Sequence, residues 1–287
     1  GISNVAVGSY ALSTNVAGDQ STAVGHGALF TQNPSGNADM DNTAVGYDAG
    51  NQITTGLSNT LIGSQAGDAL TTGGYNVAVG HLALSTDDTA NNNTAVGYAA
   101  LTTLNGGTQN TAVGQSAGAA MTTGGQNTVI GTNAGDALTD ADFNVAMGYL
   151  ALSADTLGSR SVAIGTSALR NQNFTTATNT FNTAVGHDAG QAITTGFVNT
   201  LIGGIAGDAL NTGQENVALG YAALSTDTKG NHTTAIGKDA LFSQNFTTAT
   251  DSNNTAVGFS TGVAVTTGVE NTLIGALAGD ALTDADF

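Results

Sequence analysis

Cysteine and tryptophan are missing from this 287-residue chain, proline occurs once, and Lys and Arg together number 4 against 21 Asp and Glu. Without cysteine there is no disulfide, no thiolate nucleophile and no thiolate metal site, so redox chemistry says nothing of the compartment. A formal net charge of -17 excludes a nucleic-acid partner, because the phosphate backbone would be repelled. No apolar run approaches the ~18 residues that a membrane helix needs. The chain opens Gly1-Ile2-Ser3-Asn4, with neither Met nor signal peptide, and reads as a mature piece or excised segment. A charged fraction of only 9% also argues against a charge-expanded disordered chain. What is abundant is glycine, at 41 residues.

A five-residue word, Asn-Thr/Val-Ala-Val/Ile-Gly, recurs from end to end. Its glycines are Gly8, Gly25, Gly46, Gly63, Gly80, Gly97, Gly114, Gly131, Gly148, Gly165, Gly186, Gly203, Gly220, Gly237, Gly258 and Gly275, sixteen copies spaced 17 residues apart twelve times and 21 residues three times. The pattern leaves no room for a second domain, so residues 1–287 read as one continuous repeat domain, a window from a longer fibre. Four coil types alternate in fixed order, as in the words beginning at Asn42, Asn59, Asn76 and Asn93. The longer spacings all fall in the fourth type, after Gly25, Gly165 and Gly237; two of them share Asn-Phe-Thr-Thr-Ala-Thr at 173–178 and 245–250, and the first holds Pro34. These are loops added at one corner.

A 17-residue period with one fixed glycine and no helical spacing suits one turn of a parallel β-solenoid, an all-β fold with two short strands and two or three corners per coil. Counting the motif glycine as zero, position -1 is Val, Ile, Leu or Met and -3 is Thr or Val in every coil. Side chains alternate across a strand, so -1 and -3 share one face and the Ala, Leu or Val at -2 takes the other. With both faces partly apolar, we expect the -2 face to lie outside, against another copy of the chain. Position +3 is Ala in all coils but that of Thr261. The bulky residue is Leu at +4 in two coil types and moves to +7 in the other two, where +4 is Gly, so core volume is conserved.

Position -4 is Asn at Asn4, Asn42, Asn59, Asn76, Asn93, Asn110, Asn127, Asn144, Asn182, Asn199, Asn216, Asn254 and Asn271, and Ser21, Ser161 or Thr233 elsewhere. Stacked at about 4.8 Å per coil, these amides can form a ladder that satisfies corner backbone groups, in a rod about 75 Å long. The glycine column supplies a backbone angle or a close approach that a Cβ forbids.

The words Asn4-Val5-Ala6-Val7-Gly8, Ser161-Val162-Ala163-Ile164-Gly165 and Thr233-Thr234-Ala235-Ile236-Gly237 resemble the head repeat of YadA-type trimeric autotransporter adhesins, a left-handed parallel β-roll. Similar repeats occur in phage tail fibres and bacterial surface fibres. The resemblance spans all sixteen coils and implies three parallel chains side by side on a cell surface or virion. The usual head coil is shorter than 17 residues, and no coiled-coil stalk, membrane anchor or chaperone domain is present in the sequence.

Catalytic chemistry needs converging groups of different type. His26, His81 and His187 lie at +1 of distant coils, His232 stands apart, and no Ser-His-Asp or paired-carboxylate arrangement is discernible, so an enzyme is not expected. The acidic columns are Asp68, Asp136, Asp208 and Asp280 at +5 and Asp87, Asp155 and Asp227 at +7. Asp with Asn and carbonyls can hold Ca²⁺, yet neither a nonapeptide calcium repeat nor an EF-hand spacing appears, so solvated corners or caps are preferred and no cofactor is expected. Position +1 carries a candidate contact stripe of His26, Tyr47, His81, Tyr98, Tyr149, His187 and Tyr221. Rings along one edge can pack on a partner chain, the favoured reading, or stack on glycans. Thr pairs such as Thr54-Thr55 and Thr71-Thr72 point to opposite faces, which favours turns over an ice-binding array.

The sequence therefore reads as a non-enzymatic extracellular fibre, the shaft or head of an adhesin, whose partners are copies of itself and a surface glycan or protein receptor. The alternatives are a filament subunit stacking end to end and a monomeric solenoid that binds ice or glycan.

Overall fold

The computed structural model describes residues 1–86 and 88–286, so Asp87 and the terminal Phe287 lie outside the described residues. The chain divides into two compact units, Gly1–Phe143 and Asn144–Phe287. Each is a parallel β-solenoid. In the first unit the motif words form one three-residue strand per coil, from Val5–Val7, Thr22–Val24 and Thr43–Val45 through to Thr128–Ile130. They pair in register with identical motif positions, as Ala23 with Ala44 and Ala44 with Leu61. The second unit runs likewise from Val145–Met147 to Thr272–Ile274, with Ala163 on Ala184 and Ala184 on Leu201. Among the described residues there is no helix.

Among the described residues the expected second strand is missing from most coils. Two-residue pairs occur, among the described residues, only where a 21-residue coil turns its corner: Gly18–Asp19 with Ala38–Asp39, Gly158–Ser159 with Thr178–Asn179, and Gly230–Asn231 with Thr250–Asp251. The rest of each coil, among the described residues, is mostly turn and bend, with left-handed backbone angles at +2, +4 and -5; in one coil these are Leu82 (φ 59), Leu84 (φ 53) and Tyr75 (φ 60). A left-handed residue other than glycine costs about 1–2 kcal/mol. Coil-to-coil bonds continue through these turns and offset that strain, as Leu84 N–H donates to Ala100 C=O at 3.0 Å and Leu101 N–H to Ala117 C=O at 3.1 Å.

The -2 face lies inside, not outside. Ala23, Ala44, Leu61, Ala78, Ala95 and Ala112 are fully buried, as are Ala163, Ala184, Ala218 and Ala256 in the second unit. The interior is narrow and already holds Ala at +3 and Leu at +4 or +7, so it admits small residues at -2 while the larger -1 residues turn outward. Val45, Ile62, Met147, Ile202 and Leu219 at -1 are each 36–42% exposed. Where -2 is Leu, the +4 glycine makes room: a Cβ on Gly67 (φ +57) would stand 2.8 Å from Leu61 Cδ2 and 2.9 Å from Leu70 Cδ1. Three positions thus share one volume, and truncating such a leucine to alanine costs about 2–5 kcal/mol.

The motif glycine meets two demands at once. Gly63 has φ +138, and a Cβ on it would lie 2.5 Å from the carbonyl oxygen of Gly80 one coil on; Gly186 repeats this against Gly203 at 2.4 Å.

Candidate functional site

A spine of buried amides runs along each unit. Asn59 N–H and Nδ2 both donate to Asn42 Oδ1, at 2.9 and 3.1 Å, and Nδ2 also donates to Gly73 C=O at 3.0 Å. Asn76 repeats this on Asn59, and Asn216 on Asn199 in the second unit. One side chain thereby satisfies the strand's leading N–H and a carbonyl on the opposite corner, groups that burial would otherwise leave unpaired. Asn42 through Asn271 of the sequence-derived column are buried, whereas Asn4 is half-buried.

Where -4 is Ser or Thr, a glutamine from the inserted corner replaces the missing amide. Gln32 Nε2 donates to Ser21 Oγ at 2.9 Å, and its Oε1 accepts from Asn42 Nδ2 at 3.0 Å. Gln172 bridges Ser161 and Asn182 in the same way, and Gln244 bridges Thr233 and Asn254. In the second unit this glutamine also meets a buried carboxylate. Asp155 accepts from Gln172 Nε2 at 2.5 Å, Phe174 N–H at 3.0 Å and Gly158 N–H at 3.1 Å. Asp227 holds the matching set of Gln244, Phe246 and Gly230. These two aspartates are completely buried caps and not solvated corners. Asp87, the third of that column, lies outside the described residues.

Of the +5 aspartates, Asp68, Asp136 and Asp208 are half-buried and Asp280 is exposed. Burial first, then the charge of Asp48, holds the Asp68 carboxyl above its ordinary pKa of 3.8, and Asp68 Oδ1 is buried without a partner. Burial raises Asp208 as well, although Ser225 Oγ donates to it at 2.6 Å. Among the described residues no three His, Asp or Glu side chains are grouped to hold a metal ion. The first threonine of each pair is a turn residue: Thr54 Oγ1 donates to Thr71 C=O at 3.2 Å and Thr71 Oγ1 to Asp88 C=O at 2.9 Å.

The +1 stripe forms short exposed stacks. His26 lies parallel to Tyr47 with centroids 5.3 Å apart, and His81 to Tyr98 at 5.7 Å. His187 is 3.0 Å from Asp188, and Tyr149 and Tyr221 are more than half exposed. Lys238 sits over Tyr221 and Phe259 with Nζ 6.0 and 5.4 Å from their centroids. At His26 the stripe borders a cleft of about 320 Å³ lined by Tyr10, His26, Gly27, Phe30, Asp48 and Asn51. A hydrogen bond to Asp48, followed by its charge, raises the Tyr47 hydroxyl pKa. Tyr10, Phe30, Asn51 and the three bridging glutamines were not singled out by sequence reasoning. The glutamines carried a readable signal, since Gln at +7 accompanies Ser or Thr at -4 in each long coil.

Comparison with family models, curated proteins and solved structures gives no match. No helix among the described residues is long and apolar enough to cross a membrane.

Proposed function

We propose that this chain is a non-enzymatic structural segment of an extracellular fibre or adhesin, in which solenoids pack side by side through the outward -1 face. One observation carries the reading. Val, Ile, Leu and Met face outward at the same position in coil after coil, on strands that present little charge, and Ile62 and Ile202 are 41% and 37% exposed. A repeated apolar row on a parallel ladder matches an identical row on a second copy, and large apolar patches mark interaction surfaces. The trimer implied by the resemblance to adhesin heads is the stoichiometry we favour. The amide spine and the cross-coil ladder supply the stiffness that a shaft needs, and the exposed loop tips at 175–177 and 247–249 offer variable surface for receptor contact.

Light scattering on the purified chain tests this, because it reads molar mass independently of elongation. Three times the 28.1 kDa chain mass supports parallel packing, and Ile62→Lys with Ile202→Lys then shifts the species to monomer while each unit stays folded. A chain that is monomeric at every concentration refutes the proposal, and a continuous ladder of masses favours a filament subunit.

A further inference from the structure

The cleft beside His26 has a shape and a charge that the proposed shaft does not use. Tyr10 meets both His26 and Phe30 nearly edge-on, at interplanar angles of 81° and 83° and centroid distances of 5.5 and 6.1 Å. The rings therefore form a corner and not a flat platform. The carboxylate of Asp48 also lines the cleft, with Asn51 Nδ2 3.3 Å from its Oδ1. Gly27 keeps that carboxylate in place: a Cβ there would fall 2.1 Å from Asp48 Oδ1, and φ is +64.

Rings at right angles beside one carboxylate favour a cation with an apolar shell, since ring faces attract positive charge and the carboxylate neutralises it. A sugar asks instead for a flat stacking face and several polar side chains. The matching edge of the second unit shows the same chemistry satisfied internally. There Lys238, in the +1 column that His26 occupies, places its ammonium over two rings and donates to Asp239. At His26 the position of Asp239 is taken by Gly27, and the Asp48 carboxylate faces the His26 imidazole, with Nδ1 3.6 Å from its Oδ1, in place of an ammonium.

We propose that the cleft formed by Tyr10, His26, Phe30 and Asp48 binds an organic ammonium ion. The alkyl groups lie against the rings and the charge faces Asp48. The source is a free quaternary amine or a lysine side chain, and the two share this chemistry.

Choline chloride titrated into the purified full chain, read by the ring protons of Tyr and His in NMR spectra, tests the site. We expect saturable shifts with Kd on the order of millimolar. The neutral isostere 3,3-dimethylbutan-1-ol should bind at least tenfold more weakly. Asp48→Asn, which suits the left-handed backbone there, should weaken choline at least tenfold with the melting temperature unchanged. Tyr10→Ala, at an exposed position that leaves the core intact, provides a second variant and should weaken it severalfold. Tighter binding of N-acetyl-lysine methylamide than of choline assigns the source to protein lysines, and the reverse order assigns it to free amines. Equal binding of choline and the neutral isostere, absence of saturation, or preference for a methyl glucoside overturns the proposal.

Discussion

The 21-residue coil of the first unit and the two of the second turn the same corner with different chemistry. In the second unit a buried carboxylate, Asp155 or Asp227, gathers a glutamine amide and two backbone N–H groups, one of them from Phe174 or Phe246. In the first unit Asn15 stands in that column, the phenylalanine is replaced by the buried Pro34, and Met40 fills the place of Thr180 and Ser252. Proline has no N–H to give, and a buried carboxylate short of one donor is expensive. The neutral Asn15 instead closes on its own corner, accepting from Gly18 N–H at 2.8 Å and donating to Gly18 C=O at 2.9 Å. The lesson is that the corner backbone tolerates either a charged hub or a neutral plug, provided the donors match.

The strongest way to break this comparison is to remove the glutamine from both corners. Gln172→Leu removes one of the three donors to the buried Asp155 carboxylate and should destabilise the second unit by about 3 kcal/mol or more. Gln32→Leu leaves only neutral groups unpaired and should cost about 1–3 kcal/mol. Hydrogen-exchange protection of strand amides in each unit reads both losses, and equal losses would remove the distinction.

A smaller effect sharpens it. Asn15→Asp should destabilise the first unit by about 1–2 kcal/mol, because Pro34 cannot supply the donor that Phe174 gives Asp155. Adding Pro34→Phe should recover at least half of that loss, a coupling that a double-mutant cycle measures directly. Strict additivity would show that the two positions are unrelated.

The smallest effect concerns the +5 aspartates and appears in the pH dependence. A carboxyl whose folded pKa is raised binds its proton more tightly when folded, so stability falls as pH rises from the ordinary 3.8 through the raised value. Asp68→Asn should therefore raise the melting temperature at pH 7 by about 1–3 °C, and the gain should vanish below the ordinary 3.8. Asp208→Asn should gain less, because Ser225 already donates to that carboxylate.

Much of the fold was legible because a period of 17 leaves few options: the parallel solenoid, its register and the Leu-for-Gly exchange at +4 and +7 follow from spacing alone. Strand alternation placed -1 and -3 together opposite -2, but it could not say which face is inside. The choice depends on interior width, and Ala at -2 with Ala at +3 was the clue that the inside is narrow. The second strand was misjudged because nothing in residues such as Leu84 or Tyr75 announces a left-handed backbone; stacking imposes it. The cleft was invisible for a related reason, since Tyr10, Phe30 and Asp48 belong to three different coils.

The outward apolar row is the central claim, and a chain without cysteine permits a direct test. A nitroxide label at Val45→Cys, on the -1 face, should give one short distance between copies in dipolar spectroscopy, while a label at Thr55→Cys, on an exposed corner, should give a longer one. Absence of any coupling at Val45→Cys, or a shorter distance at Thr55→Cys, would contradict side-by-side packing through that face.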